Sequence, residues 1–422
     1  SDGPLGFRAR PPPEAGSAEA KRHELLGTPE RRPNILLITT DQQRRDTLGC
    51  YGGEASFRNR HSPNADRLAS EGVRFTRAYA AAPSCTPSRA SLLLGVHVPV
   101  HTVAENGLSR WSTKKLTPFT DVLQASGYAT ALFGKAGVMP VPPSLLPKRF
   151  RGRPHADAGA PGRYIGDEAS GESWVLELER TDPNERRGEG TDRHEYLETF
   201  LVNKTMSWIS ARESLVDERP WFVHLSMLSP HGPNTIPQGF RNPFQVPRSS
   251  ETSSEASSEA SGRMGRQAER LPNVDARGGD FDLLPSQTKA LLGLPTPREA
   301  EKRAKGAKNQ ELRARYYGQA AFVDLELGRL LDFLDRPPLS ARSGGAKQAA
   351  RLRPRLRPRA SGTLVVYTSD HGALLGDHLL QDKHSLHTAS RTGPALFERW
   401  RRFEDCPISI FSGPRAFPFF SI

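Results

Sequence analysis

Four short runs are apolar almost without interruption: Asn34 to Thr40 (NILLITT), Ala129 to Phe133, Trp221 to Met227 (WFVHLSM) and Thr363 to Thr368 (TLVVYT). A strand with one wet face alternates apolar and polar residues. A run with no polar side needs cover on both faces, as in a parallel sheet between helical layers. Helical patterns lie between the runs. Ser62-Pro63 predicts a helix start with a serine cap and an N1 proline, closed at Gly72. Phe119 to Ser126 predicts a second helix. The longest runs from Glu311 to Asp335, with Leu312, Tyr316, Val323, Leu327 and Leu334 on one stripe, until Pro337-Pro338 stops it. Strands alternating with helices predict an α/β layered fold around a mostly parallel central sheet.

Only 36% of the 422 residues are hydrophobic and the formal charge is +12. Two segments carry that excess. Residues 336–359 hold eight Arg/Lys and no acid, and residues 297–315 hold seven against three Glu. Elsewhere the chain is neutral, which excludes a uniformly basic nucleic-acid surface. The Arg-Pro repeats also lack the interleaved aromatics of a single-strand binder, so no nucleic-acid partner is expected. No apolar run approaches the ~20 residues of a membrane-crossing helix. Residues 1–33 are expected to be disordered and show no signal-peptide core. The catalytic body is expected over 34–390, with low-complexity insertions at about 140–195, 245–310 and 336–360, and a divergent tail over 391–422. Cys50, Cys85 and Cys406 cannot form a disulfide framework. Asn203-Lys-Thr205 is the one glycosylation sequon and matters only in a secreted chain.

Open α/β sheets bind ligands beyond the carboxyl ends of their strands. Asp41 follows the first apolar run, Lys135 the second, His231 the third and Asp370-His371-Gly372 the fourth. A single Asp there reads as well as a helix cap; four ionisable residues in one topological position predict a shared site. Cys85-Thr86-Pro87-Ser88-Arg89 adds a helix start, placing Cys85 at the positive end where thiolates and anions are stabilised. Arg89 follows one turn later on the same face. Cys50, His97, His101 and His378 are assigned no role.

At these residues the sequence resembles the type I, formylglycine-dependent sulfatases of the alkaline phosphatase superfamily. Their signature is C-x-P-S-R, four residues, then Thr-Gly; here CTPSRASLLLG departs only at Leu94. The resemblance extends through PNILLITTDQQRRDTLGCYGG, SPNADRLASEGVRFTRAYAAAPSC, GYATALFGK, SMLSPHGP, RYYGQAAFVDLELGRLL and VVYTSDHGALLGDHLLQDKHS, roughly half the chain and all in order. The TTDQQRRD form resembles the choline-sulfatase, heparan-sulfatase and phosphonate-monoesterase branches more than the enzymes with paired Asp there.

The resemblance implies an enzyme that hydrolyses sulfate monoesters, of small molecules or carbohydrates, after a formylglycine-generating enzyme converts Cys85 to formylglycine. It implies that Asp41, Gln42, Asp370 and His371, with the residue-85 oxygen, hold a divalent metal. Calcium suits the oxygen-rich set, and His371 keeps manganese open. It further implies that Arg89 bonds the formylglycine diol, Lys135 and Lys383 bind sulfate oxygens, and His231 is the general acid. A phosphate or phosphonate monoester hydrolase on the same site is the alternative, and an inactive, anion-binding homologue is another. Family maturation in the endoplasmic reticulum implies a secreted or lysosomal product. Two departures stand out. The family follows its active-site lysine with a histidine, as in G-K-W-H, where this chain has Gly134-Lys135-Ala136-Gly137. The C-terminal subdomain expected after Lys383 reads as truncated.

Overall fold

The computed structural model describes residues 32–52, 61–106, 115–138, 196–214, 219–237, 239–244, 306–337, 359–377, 383 and 395–397. The four apolar runs are strands: β1 (Asn34–Asp41), β3 (Ala129–Gly134), β4 (Trp221–Pro230) and β5 (Thr363–Ser369). They pair in parallel, β3 on β4, β4 on β1 and β1 on β5. Two very short strands were not foreseen. β2 (Val73–Arg74) and β6 (Ala395–Phe397) complete the order β2-β6-β5-β1-β4-β3, with β6 antiparallel to both its neighbours. The sheet is therefore mostly parallel, as expected. The expected divergent tail supplies β6 as one of its strands.

Among the described residues the α-helices are α1 (Pro63–Glu71), α2 (Cys85–Leu94), α3 (Val98–His101), α4 (Phe119–Ala125), α5 (Leu197–Ser214) and α6 (Ala307–Asp335). Alternate strand residues explain why the runs are apolar throughout. Leu36, Ile38, Val223 and Leu225 pack with α1, α5 and α6 on one face, through Leu68, Trp208, Val323 and Leu327. Leu37, Phe222 and Leu132 pack with α2 on the other, through Ala90 and Leu93. The result is a sheet between two helical layers.

Some local readings change. Helix α6 begins at Ala307, so the last residues of the expected 245–310 insertion are helical. The segments 1–31, 140–195, 245–305 and 338–358 lie outside the described residues. Arg359, the last arginine of the expected 336–360 insertion, is buried: it pairs with Glu213 at 2.6 Å and donates to the carbonyls of Phe333 and Arg336. It thereby caps the last turn of α6.

Ser62 does not cap α1. Its hydroxyl accepts from Gly49 N–H (2.8 Å) and donates to Asp66 (3.3 Å). The cap comes from α6 instead, where Asp324 accepts from Ala65 N–H (2.8 Å) and from both nitrogens of Asn64 (3.0 and 3.1 Å). Gly328 lets Asn64 approach, since a Cβ there would lie 2.6 Å from its side chain. Burial pushes the Asp324 carboxyl up to about 6, against the pull of those N–H donors. Between its ordinary value and about 6 the folded chain holds more protons than the unfolded one. This contribution to stability is therefore full below pH 3.8 and is lost as pH rises to about 6. It amounts to at most about 3 kcal/mol. Subtracting the stability–pH curve of Asp324→Asn from that of the parent isolates it; a flat difference between pH 4 and 6 would count against the account.

Candidate active site

The carboxyl ends of β1, β3, β4 and β5 and the first turn of α2 meet at one point. Cys85, only 4% exposed, opens α2 with its Sγ 3.6 Å from Asp41 Oδ1 and 3.2 Å from His371 Nε2. Lys383 Nζ donates to the same sulfur at 3.1 Å and lies 2.8 Å from His231 Nε2. In both histidines Nδ1 is committed to a backbone carbonyl, Gly232 for His231 and Gly372 for His371, each at 2.8 Å. Nε2 is thus the atom each ring presents to the site.

Burial and the Asp41 carboxylate push the Cys85 thiol up, but Lys135, His231 and His371 outweigh them and hold it down at about 5. Burial likewise opposes ionisation of Asp41, yet Lys135 and Arg89 hold its carboxyl well below the usual range. Asp370 is held down in the same way by His371 and Arg89, against burial and Asp41. His371 is raised to about 9 because Asp370 overcomes the cost of its burial.

Arg89 is 1% exposed and works as a brace. Nε donates to Asp370 Oδ2 (2.8 Å), one Nη to Ser226 Oγ (2.7 Å) and the Lys135 carbonyl (2.9 Å), and the other to Asp41 Oδ2 (3.2 Å). Four of the five guanidinium donors are thereby engaged with the protein. This narrows the sequence-based expectation: one N–H remains for a diol, and the main service of Arg89 is to fix two carboxylates. Lys135 pairs with Asp41, rather than standing free for a sulfate oxygen.

A polar column supports the brace from below. The sheet register sets His224 beside Leu37, and Ser226 beside Thr39 and Gly134. Thr39 Oγ1 donates to Ser226 Oγ (3.1 Å) and meets His224 Nε2 (2.9 Å). Burial and Arg89 push His224 down to about 3, so it is a neutral, fixed dipole. Sequence reading missed this column. Its signal was there: Thr39, His224 and Ser226 are polar interruptions in strands otherwise apolar on that face.

The turn carrying Lys135 fits around Arg89. At Gly134 (φ 107°) a Cβ would lie 1.9 Å from the Ser226 carbonyl oxygen, and at Gly137 (φ 64°) 2.4 Å from Arg89 Cδ. In the G-K-W-H register the histidine falls two residues after Lys135, at Gly137, where a side chain would meet Arg89, and Ala136 between them packs against the α2-side core.

Donor atoms of Asp41, Cys85, Asp370 and His371 all lie within 4.8 Å of one another and are buried. Gln42 adjoins them, with its own N–H on Asp370 Oδ1 (2.9 Å). A carboxylate has about four acceptor positions, and the bonds to Asp41 and Asp370 leave capacity on each. Two convergent carboxylates with spare lone pairs fit a hard divalent cation. Gln42 itself sits at φ 66°, a left-handed conformation that costs a non-glycine residue about 1–2 kcal/mol. Of the residues without an assigned role, His101 is buried and fixed by Ser91 Oγ (2.8 Å) and Val103 N–H (3.0 Å), a structural histidine.

Comparison with known proteins gives the family and the fold. An arylsulfatase of Clostridium perfringens is 25% identical over 366 residues, 82% of this chain and 64% of that protein. Human arylsulfatase A is 39% identical over 142 residues, 31% of this chain and 27% of that one. The chain thus spans just under two thirds of the length of the Clostridium relative. The fold is shared with a phosphonate monoester hydrolase of Agrobacterium radiobacter (TM-score 0.54, 24% identity, 88% of this chain and 68% of that one). It is also shared with a protein solved in complex with its substrate D-glucosamine-2-N,6-O-disulfate (TM-score 0.53, 22% identity, 88% and 72%). A sequence model of the Sulfatase family matches residues 33–341, so the chain belongs to the sulfatase family.

Proposed function

We propose that this chain is a sulfuric ester hydrolase whose nucleophile arises from Cys85. The observation that carries the reading is the setting of that residue: a buried position at a helix start, facing two carboxylates, two imidazoles and the ammonium of Lys383. Conversion of Cys85 to formylglycine would supply a hydrated aldehyde, one hydroxyl of which attacks sulfur while the other allows the aldehyde to be restored. A divalent cation, calcium by the hardness of its donors, would be held by Asp41, Gln42, Asp370 and His371 and would supply a fixed positive charge beside the ester oxygens.

The chain's own groups do the rest. Lys383 meets an anionic sulfate head at the mouth of the site, and Lys135 can turn from Asp41 toward it. His231 has one place to carry a transferable proton, Nε2, because Nδ1 is tied to Gly232, and that atom faces the site 2.8 Å from Lys383 Nζ. That proton goes to the departing alkoxide. Arg89 keeps Asp41 and Asp370 ionised and aligned throughout.

The test is a mass spectrum of the Cys85 peptide from protein made in its native source, beside parallel assays with aryl sulfate and aryl phosphate esters. The expected results are exchange of the thiol for an aldehyde and faster sulfate release. An unmodified thiol without sulfate release would sink the reading, and equal or faster phosphate release would favour the phosphoesterase alternative.

A further inference from the structure

Two segments beyond the strand ends carry proposed site residues yet are neither helix nor strand. One is the turn Gln42–Arg44 after β1; the other is the segment from His231 to Thr235 after β4. A non-glycine residue stays at a positive φ only where its surroundings over-determine it, so Gln42 needs an outside hold. The Asp370 carboxylate takes the Gln42 N–H (2.9 Å), and the rest of the hold includes Tyr316 on α6. Its hydroxyl donates to the Gln42 carbonyl at 2.6 Å and accepts the Arg44 N–H at 2.8 Å, closing the turn at both ends. Tyr316 is buried, with both of these bonds in the dry interior.

Gln319 lies three residues on, hence on the same face of the helix. Its Nε2 donates to the Pro233 carbonyl (3.3 Å) and the Tyr196 hydroxyl (3.1 Å), and its Oε1 accepts from Asn234 Nδ2 (2.8 Å). Asn234 also donates to the Pro230 carbonyl (2.9 Å), so these bonds close a ring around His231. Neither Tyr316 nor Gln319 reaches the reacting atoms. Farther along, Val323, Leu327 and Leu331 root the same helix in the core, which gives both contacts a rigid base.

We propose that Tyr316 and Gln319 are positioning residues, through which one face of α6 separately fixes the cation-side turn at Gln42 and the proton-donor segment at His231. The proposal rests on the sulfatase reading for the roles of Gln42 and His231. Tyr316→Phe should weaken calcium binding by about tenfold, followed by calorimetric titration with calcium chloride, and leave the dependence of kcat on leaving-group pKa unchanged. Gln319→Leu should leave calcium affinity alone and steepen that dependence, with poor leaving groups losing about tenfold more than good ones. Tyr317→Phe, the next residue on the helix, should move neither readout. A histidine-labelled chain adds a readout free of turnover: the His231 ring resonance, assigned with His231→Asn, should shift in Gln319→Leu and stay put in Tyr316→Phe.

Loss of both properties together in either variant, tracking a fall in melting temperature, would mean plain structural damage and overturn the proposal. So would no change in either. Should Tyr316→Phe fail to fold, the Gln319 readouts decide alone. A parent chain that binds calcium but releases no sulfate sinks the sulfatase reading, while calcium affinity and the His231 resonance still judge the two positioning roles.

Discussion

Asp370→Ala should destabilise the fold by about 3–5 kcal/mol, the scale for removing one partner of a buried ion pair. The carboxylate accepts from Arg89 Nε (2.8 Å) and from the N–H groups of Gln42 (2.9 Å) and His371 (2.8 Å), all in the dry interior. Alanine leaves Arg89 and Lys135 sharing the single carboxylate of Asp41, and strands two backbone donors. If the proposed cation site is correct, calcium binding should vanish in the same variant. Urea unfolding measures the first effect and calorimetry the second. Asp370→Asn keeps an acceptor and should cost less, so equal losses for Ala and Asn would show that charge, not hydrogen bonding, dominates. A stability unchanged from the parent in both would contradict the brace described for Arg89.

Gly134→Ala is the second large effect. The new Cβ would meet the Ser226 carbonyl oxygen at 1.9 Å, a backbone atom that cannot swing aside, and alanine is strained at φ 107°. The ends of β3 and β4 must part, for about 3 kcal/mol or more once overpacking and backbone strain act together. Lys135 rides on that end, its N–H bonded to the same carbonyl (3.0 Å), and on the proposed function, which gives Lys135 a sulfate oxygen to bind, a displacement of ~1 Å there can lower turnover by about a hundredfold. Gly127→Ala provides the contrast. It also has a positive φ, but nothing lies within 4 Å of its Cβ, so only the conformational cost of about 1 kcal/mol applies. Thermal unfolding and aryl sulfate turnover of the two variants, side by side, test the difference; matching losses would refute the clash.

The central strands were legible because being covered on both faces removes polar residues from both, and nothing else in a short segment does so. Their ends were legible to within three residues. β2 and β6 were not, because two- and three-residue strands are defined by a partner distant in the chain and carry no period of their own. Helix α5 was missed beside a long polar segment, although its Leu201, Val202, Trp208 and Ile209 all enter the core. Ser62 looked like a cap because local sequence shows only local acceptors; Asp324, about 260 positions away, could not be seen from there. The convergence of residues after strands was readable from topology. What each one bonds was not: Lys135 on Asp41 and the near-saturated Arg89 are outcomes of three-dimensional packing. Tyr316 was read as one more apolar position on a helical stripe, and its hydroxyl was the informative part.

The strand order has a consequence for how the chain is made. Of the described strands β1 comes earliest in the chain, yet it ends between β4 and β5, with β5 lying more than 300 residues downstream. Until β5 emerges, β1 presents an unpaired, apolar edge, and the half-formed β1-β4-β3 sheet lacks Asp370 and His371. Such long-range closure is slow, and an open edge invites pairing with other chains. A product cut short before residue 363 would keep that open apolar edge and would be an aggregation hazard.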